Sequence, residues 1–203
     1  RDAGGEAELV YVADTADPLR KVYPFLDESY AEWVGHPLAE VPAPEGDGSY
    51  ADYFLAPFFE ALCEVGVTPR VVDNHAAYRE GRFADCTRAA VESAARAREI
   101  LERVSGRQLP RDWFPWTCRD NDGRLVEGRV TKCKWPLLEF ENAAGETVRN
   151  NLAMGEGKLP WRLDWPAKWS WLGVTFEAFG KDHATRGGSF DTGKEIVEAI
   201  YGG

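Results

Sequence analysis

The run ELVYVAD, residues 8–14, packs five apolar residues between two acids, and PRVVD, residues 69–73, repeats the style. Compact runs of β-branched and aromatic residues that end in an acid read as buried parallel strands rather than as half-exposed ones, which would alternate. Between them, SYADYFLAPFFEALCEVG (49–66) spaces its apolar residues at helical intervals, with Ser49 placed to cap the start and Gly66 to stop the end. FADCTRAAVESAARAREILERVSG (83–106) is the longest helical signal, rich in Ala, Arg and Glu, with Gly106 at its terminus. Strand, helix, strand, helix is the alternation of a doubly wound α/β sheet.

Composition limits what such a sheet can serve. The chain has 203 residues, 44 % of them hydrophobic and 12 % aromatic, enough for a sizeable core in one large or two small domains. No apolar run approaches the ~20 residues of a membrane span, and RDAGGEAE at the start lacks the apolar centre of a signal peptide, so a cytoplasmic protein with no membrane partner is expected. A net charge of -10 argues against a surface coated in positive charge, although a local basic groove can still meet a polyanion. Cys63, Cys86, Cys118 and Cys133 are scattered with no CxxC pair; free thiols and no zinc site are expected.

Residues 107–157 differ in character. Turn signals at NDG and NAAGE separate β-like segments, predicting antiparallel strands near 126–134 and 136–141 or 146–152 in a small β-rich insertion. The alternation resumes with VTFEAFG (174–180) as a strand and SFDTGKEIVEAIYG (189–202) as a helix. The predicted organisation is therefore 1–106 and 158–203 as two parts of one α/β domain, interrupted by 107–157. No internal repeat or low-complexity tract is present.

Two clusters carry chemistry. In FGKDHATRGGSFDTGKEI (179–196), Lys181, Asp182 and His183 follow the predicted strand, where ligands of doubly wound sheets gather. Gly187 and Gly188 would let the backbone approach a ligand, and the helix opening at Ser189 would offer N–H groups to negative charge; an ordinary helix entry has the same residues. In KLPWRLDWPAKWSWLG (158–173), four tryptophans fall in eleven positions, with Trp161 and Trp165, or Trp165 and Trp169, sharing a helical face. Core packing explains such a stripe, but Arg162 and Asp164 interleave with the indoles, and an aromatic face beside a carboxylate suits an amine.

Four blocks together, DPLRKVYPFL (17–26), GSYADYFLAPF (48–58), KLPWRLDWPAKW (158–169) and FGKDHATRGGSFDTGKEI (179–196), resemble class I lysyl-tRNA synthetase, in order along most of the chain outside 107–157. The resemblance implies a Rossmann-type catalytic domain that activates lysine with ATP and Mg2+ and transfers it to the 2′-hydroxyl of the terminal adenosine of tRNA(Lys). It implies that Trp161 and His183 help form the lysine pocket, that Asp164 belongs to it as the acid of the WRxDW pattern, and that Asp182 lies near the adenosine ribose, with Gly187, Gly188 and Ser189 on the nucleotide side.

The family's HIGH and KMSKS signatures are absent from the sequence, as are its anticodon-binding domain and the paired CxxC of its insertion. The chain is accordingly read as an internal portion of a longer synthetase, inactive alone; a non-catalytic paralogue binding lysine or a nucleotide, and a related class I enzyme for another amino acid, are the alternatives. The resemblance also implies that the strand lying between 8–14 and 174–180 is missing, so that those two strands either stand about 10 Å apart across an open slot, the expected outcome, or close up and pair directly at roughly 4.8 Å.

Overall fold

The computed structural model describes residues 4–202 and divides into two compact units, Arg1–Ala77 with Asp122–Leu125, and Tyr78–Asn121 with Val126–Gly203. In the first, strand β1 (Val10–Ala13) pairs in parallel with β2 (Arg70–Asp73), in the register Val10↔Arg70 to Ala13↔Asp73. Helix α1 (Tyr50–Glu64) makes the crossover. It starts at Ser49 in a capping box: the Ser49 hydroxyl accepts from the Asp52 amide at 3.1 Å, and the Ser49 amide donates to the Asp52 carboxylate at 3.2 Å.

The carboxyl ends of the two strands are tied by side chains. Thr15 Oγ1 donates to Asp73 Oδ1 at 2.7 Å, and the Ala76 amide donates to the same oxygen at 2.7 Å. The block 17–26 supplies core: Leu19 joins Tyr30 and Val41, with Val22, Tyr23 and Leu26 packed against them. Helix α2 (Asn74–Arg79) then leads the chain from the first unit into the second.

In the second unit, the single helix predicted over 83–106 is two, α3 (Ala84–Glu92) and α4 (Ala94–Ser105), broken at Ser93, whose backbone lies at φ -103°, ψ 22°. Apolar periodicity continues through one non-helical residue, so the break leaves no trace in the pattern. Gly106 ends α4 in the left-handed region at φ 69°, where a side chain would be strained.

Strand β3 (Thr117–Arg119) is followed by the short β4 (Leu125–Val126), and then by β5 (Arg129–Lys134), β6 (Leu137–Glu141) and β7 (Thr147–Asn151), which form an antiparallel three-stranded sheet. Leu138, Phe140 and Val148 alternate onto its buried face. Strand β8 (Gly157–Lys158) pairs antiparallel with β3 and delivers the chain to helix α5 (Trp161–Leu172). Helix α6 (Ser189–Ile196) continues as a π-type turn over Val197–Tyr201.

The predicted strand 174–180 does not form: those residues run without ladder hydrogen bonds. A strand is defined by its neighbour, and an apolar, β-branched run without a pairing edge gains nothing from its propensity. Among the described residues the parallel sheet has two strands, β1 and β2, so the expected slot has no second wall. The fold is a mixture of helices and small sheets, and no described helix is long and apolar enough to cross a membrane.

Candidate functional site

Helix α5 presents two unlike faces. Trp161 and Trp165 stack with ring centroids 5.4 Å apart and planes 14° from parallel, and Trp165 meets Trp169 at 4.7 Å. This is the i,i+4 stripe read from the sequence. Trp165 is itself only 4 % exposed; on the opposite side Leu163, Pro166 and Ala167 are buried, and Gly173 at φ 65° ends the helix.

Asp164 holds that interior together. Its carboxylate is 0 % exposed; Tyr78 Oη donates to Oδ1 at 2.6 Å, and the ammonium of Lys168, itself 4 % exposed, lies 2.7 Å from Oδ2. Tyr78 Oη also accepts the Leu159 amide at 3.1 Å, and the Tyr78 ring stacks on Phe83 at 3.9 Å. Burial alone would push the Asp164 carboxyl up, but the charges of Lys168 and Lys158, with the Tyr78 hydrogen bond, outweigh it and hold the group below its ordinary value. Burial, then the Asp164 charge, holds the Tyr78 hydroxyl well above its own. The resemblance places Asp164 with the lysine pocket; in the structure the carboxylate is enclosed, with the Lys168 ammonium against it, and it anchors the helix that carries the tryptophans.

The segment after α5 closes over the indoles. Phe179 meets Trp165 edge to face at 5.6 Å and Phe190 at 4.6 Å. The turn that follows brings His183 to the stripe, its ring 5.2 Å from Trp165 and 5.8 Å from Trp161. His183 keeps a third of its side chain exposed, and Trp161 36 % of its surface. Asp182 Oδ2 lies 3.5 Å from His183 Nε2 and is itself well exposed. Trp161 and His183, distant in sequence, are thus brought together on one partly open aromatic surface with a carboxylate at its edge, a surface able to hold an apolar stem and a cation.

The glycine pair is built into the turn that follows. The Gly187 amide donates to Asp191 Oδ2 at 2.9 Å and the Gly188 amide to the Thr185 carbonyl at 2.7 Å, so neither N–H is available to an anion. A Cβ on Gly188 would stand 2.6 Å from both the His183 and the Thr185 carbonyl oxygens, and one on Gly187 would stand 2.7 Å from the Val104 carbonyl. Both glycines are there for close packing of the turn that positions His183. Ser189, the first residue of α6, is buried. Arg162 fastens the same turn, donating to Thr192 Oγ1 at 3.1 Å and the Gly187 carbonyl at 3.4 Å. Gly187 also lines a cavity of about 410 Å³ with Arg103, Arg186, Asp191 and Lys194.

Sequence reasoning missed Tyr78, Lys168 and Glu177. Lys168 stands four residues after Asp164, an i,i+4 pair that could have been read; Tyr78 comes from far away in the chain and left no local sign. Glu177, the one charge inside VTFEAFG, accepts the Trp165 indole N–H at 3.0 Å on one oxygen and 3.1 Å on the other, and the Trp169 indole N–H on the second oxygen.

Comparison with known proteins identifies the family. The family model described as tRNA synthetases class I (K) matches residues 1–203. The chain is 47 % identical over 205 residues to lysine–tRNA ligase 1 of Methanosarcina acetivorans, an overlap of 99 % of the chain and 38 % of that protein. It is 43 % identical to the lysine–tRNA ligase of Archaeoglobus fulgidus (98 % of the chain, 41 % of the relative) and 41 % identical to that of Thermoplasma volcanium (98 % and 40 %). The chain therefore spans about two fifths of the length of these relatives.

Proposed function

We propose, for a chain that belongs to the class I (K) tRNA synthetases, that it is the catalytic-domain portion of a lysine–tRNA ligase that seats lysine for activation by ATP and transfer to tRNA(Lys) in the cytoplasm. The observation that carries this reading is the meeting of Trp161, Trp165 and His183 on one aromatic surface. The indole faces receive the methylene stem of lysine, and their negative quadrupoles favour its ammonium. His183 and Asp182, at the edge of that surface, face the reacting end, with Asp182 toward the ribose of ATP.

Activation requires the lysine carboxylate to attack the α-phosphate in line, a reaction governed by positioning and charge stabilisation rather than by covalent help from the protein. The contribution of these residues is orientation. Arg162, Asp191 and the two glycines fix the turn, the turn fixes His183, and the Asp164–Lys168–Tyr78 network fixes the tryptophans. Among the described residues no group of three His, Cys, Asp or Glu side chains is disposed to hold a metal ion. Magnesium in this reading arrives with ATP, as part of the substrate.

The parallel β1–β2 pair with its α1 crossover supports a Rossmann-type sheet, with 1–106 and 158–203 as its two parts and 107–157 as an insertion that receives the acceptor end of the tRNA. ATP–pyrophosphate exchange by the full-length protein, run with each amino acid in turn, tests the reading. Exchange driven by lysine is expected; exchange driven by another amino acid reassigns the specificity, and exchange with none makes the protein a non-catalytic relative.

A further inference from the structure

We infer that Arg107, Arg162 and Arg186 form a seat for a phosphate of the RNA backbone, an inference that rests on the tRNA ligase reading above. They come from three places in the second unit: Arg107 follows Gly106 at the end of α4, Arg162 stands in the first turn of α5, and Arg186 lies in the turn before α6. That turn packs on the end of α4, since a Cβ on Gly187 would stand 2.7 Å from the Val104 carbonyl oxygen and 3.5 Å from the Ser105 Cα. Arg162 reaches the same place from α5, donating to the Gly187 carbonyl and Thr192 Oγ1, and Arg186 lines the cavity of about 410 Å³ there.

Among the described residues none of the three guanidiniums has a carboxylate partner. Most acids of the cavity are committed elsewhere: Asp191 accepts the Gly187 amide and lies 3.6 Å from Lys194, and Glu195 pairs with Arg103, which leaves Glu198. Arg162 is half-buried with neutral acceptors only, and burial, then the charge of Arg107, holds its guanidinium below the ordinary value. Cations gathered without a counter-ion oppose one another until an anion joins them, and the planar fork of a guanidinium matches phosphate oxygens. The acidity of the whole chain does not stand against this. Nineteen of the 24 Lys and Arg residues, but only eighteen of the 34 acids, lie in the second unit, so the excess negative charge belongs to the first.

The kind of phosphate follows from the surroundings. Arg107 and Arg186 are exposed, and the amides of Gly187 and Gly188 are already bonded within the chain, so an anion here meets side chains on an open rim. A triphosphate needs donors that enclose it. One phosphate of a long polyanion, whose other charges lie elsewhere, is met by such a rim, and the rim borders the turn that holds His183.

The test measures binding of tRNA(Lys) by the full-length wild type, by Arg107→Gln, by Arg186→Gln and by the double variant, over a range of salt concentrations. Arg162 is left in place because it also fastens the turn. The double variant should bind about 10-fold more weakly in roughly 0.1 M salt, and its slope of log affinity against log salt should fall by about one, the mark of one lost phosphate contact. Wild-type affinity and slope in the double variant overturn the inference. Weaker binding with an unchanged slope also overturns it, because it marks a disturbed fold rather than a lost ion contact. A raised KM for ATP in lysine-driven pyrophosphate exchange, with tRNA affinity unchanged, overturns it in favour of ATP. A wild type that binds no tRNA refutes the ligase reading itself rather than these residues' part in it.

Discussion

Replacing Asp164 by Asn tests whether the enclosed network holds up the aromatic surface. The side chain keeps its size and an oxygen for the Tyr78 hydroxyl, but the Lys168 ammonium, 4 % exposed, loses its counter-charge at 2.7 Å. Breaking a buried pair by removing one member costs about 3–5 kcal/mol, because the buried ammonium loses its ion-pair partner in a poor solvent. For a chain of this size each kcal/mol lowers the melting temperature by roughly 2–4 °C, so a drop on the order of 6–20 °C is expected. Tryptophan emission suits the measurement, since seven of the eight tryptophans, all but Trp33, belong to the unit that contains Asp164. The double substitution Asp164→Asn, Lys168→Met also removes the buried ammonium and should recover part of the loss. A single variant that melts with the wild type, or a double variant worse than the sum of its parts, would refute the account of the network.

Two further outcomes follow from the same geometry. Because the Asp164 carboxyl is held below its unfolded value, its stabilisation is complete above about pH 4 and is lost as pH falls through the folded value; urea unfolding followed from neutral to acid pH should fall more steeply in the wild type than in Asp164→Asn. Gly188→Ala would place a Cβ 2.6 Å from two carbonyl oxygens at an ordinary φ of -70°, a purely steric fault that should cost about 1–3 kcal/mol in thermal unfolding and displace His183, weakening lysine binding measured by calorimetry.

The sequence showed plainly whatever depends on near neighbours. The parallel strands at 8–14 and 69–73, the Ser49 cap and the tryptophan stripe all follow from patterns a few residues long, and all are present. Its failures come from interactions whose partner is elsewhere. VTFEAFG has the composition of a strand but no edge to pair with, so it became the segment that sets Glu177 against the indoles. Asp164 is held by a cation one turn ahead and by a tyrosine 86 residues behind, the second of which no local pattern shows. Gly187 and Gly188 were read as letting the backbone approach a ligand, and the carbonyl oxygens that a Cβ there would meet come from residues the local pattern does not show. The meeting of Trp161 with His183 was legible only through the resemblance of whole blocks to a family, since nothing local joins the two residues.

The structure of the full-length protein crystallised with lysine tests the central claim most directly. The lysine methylenes should lie within about 4 Å of the Trp161 ring, with His183 beside the same molecule. Lysine bound away from the α5 tryptophans, with Trp161 and His183 packed only against each other, would contradict the account and leave the aromatic stripe as core.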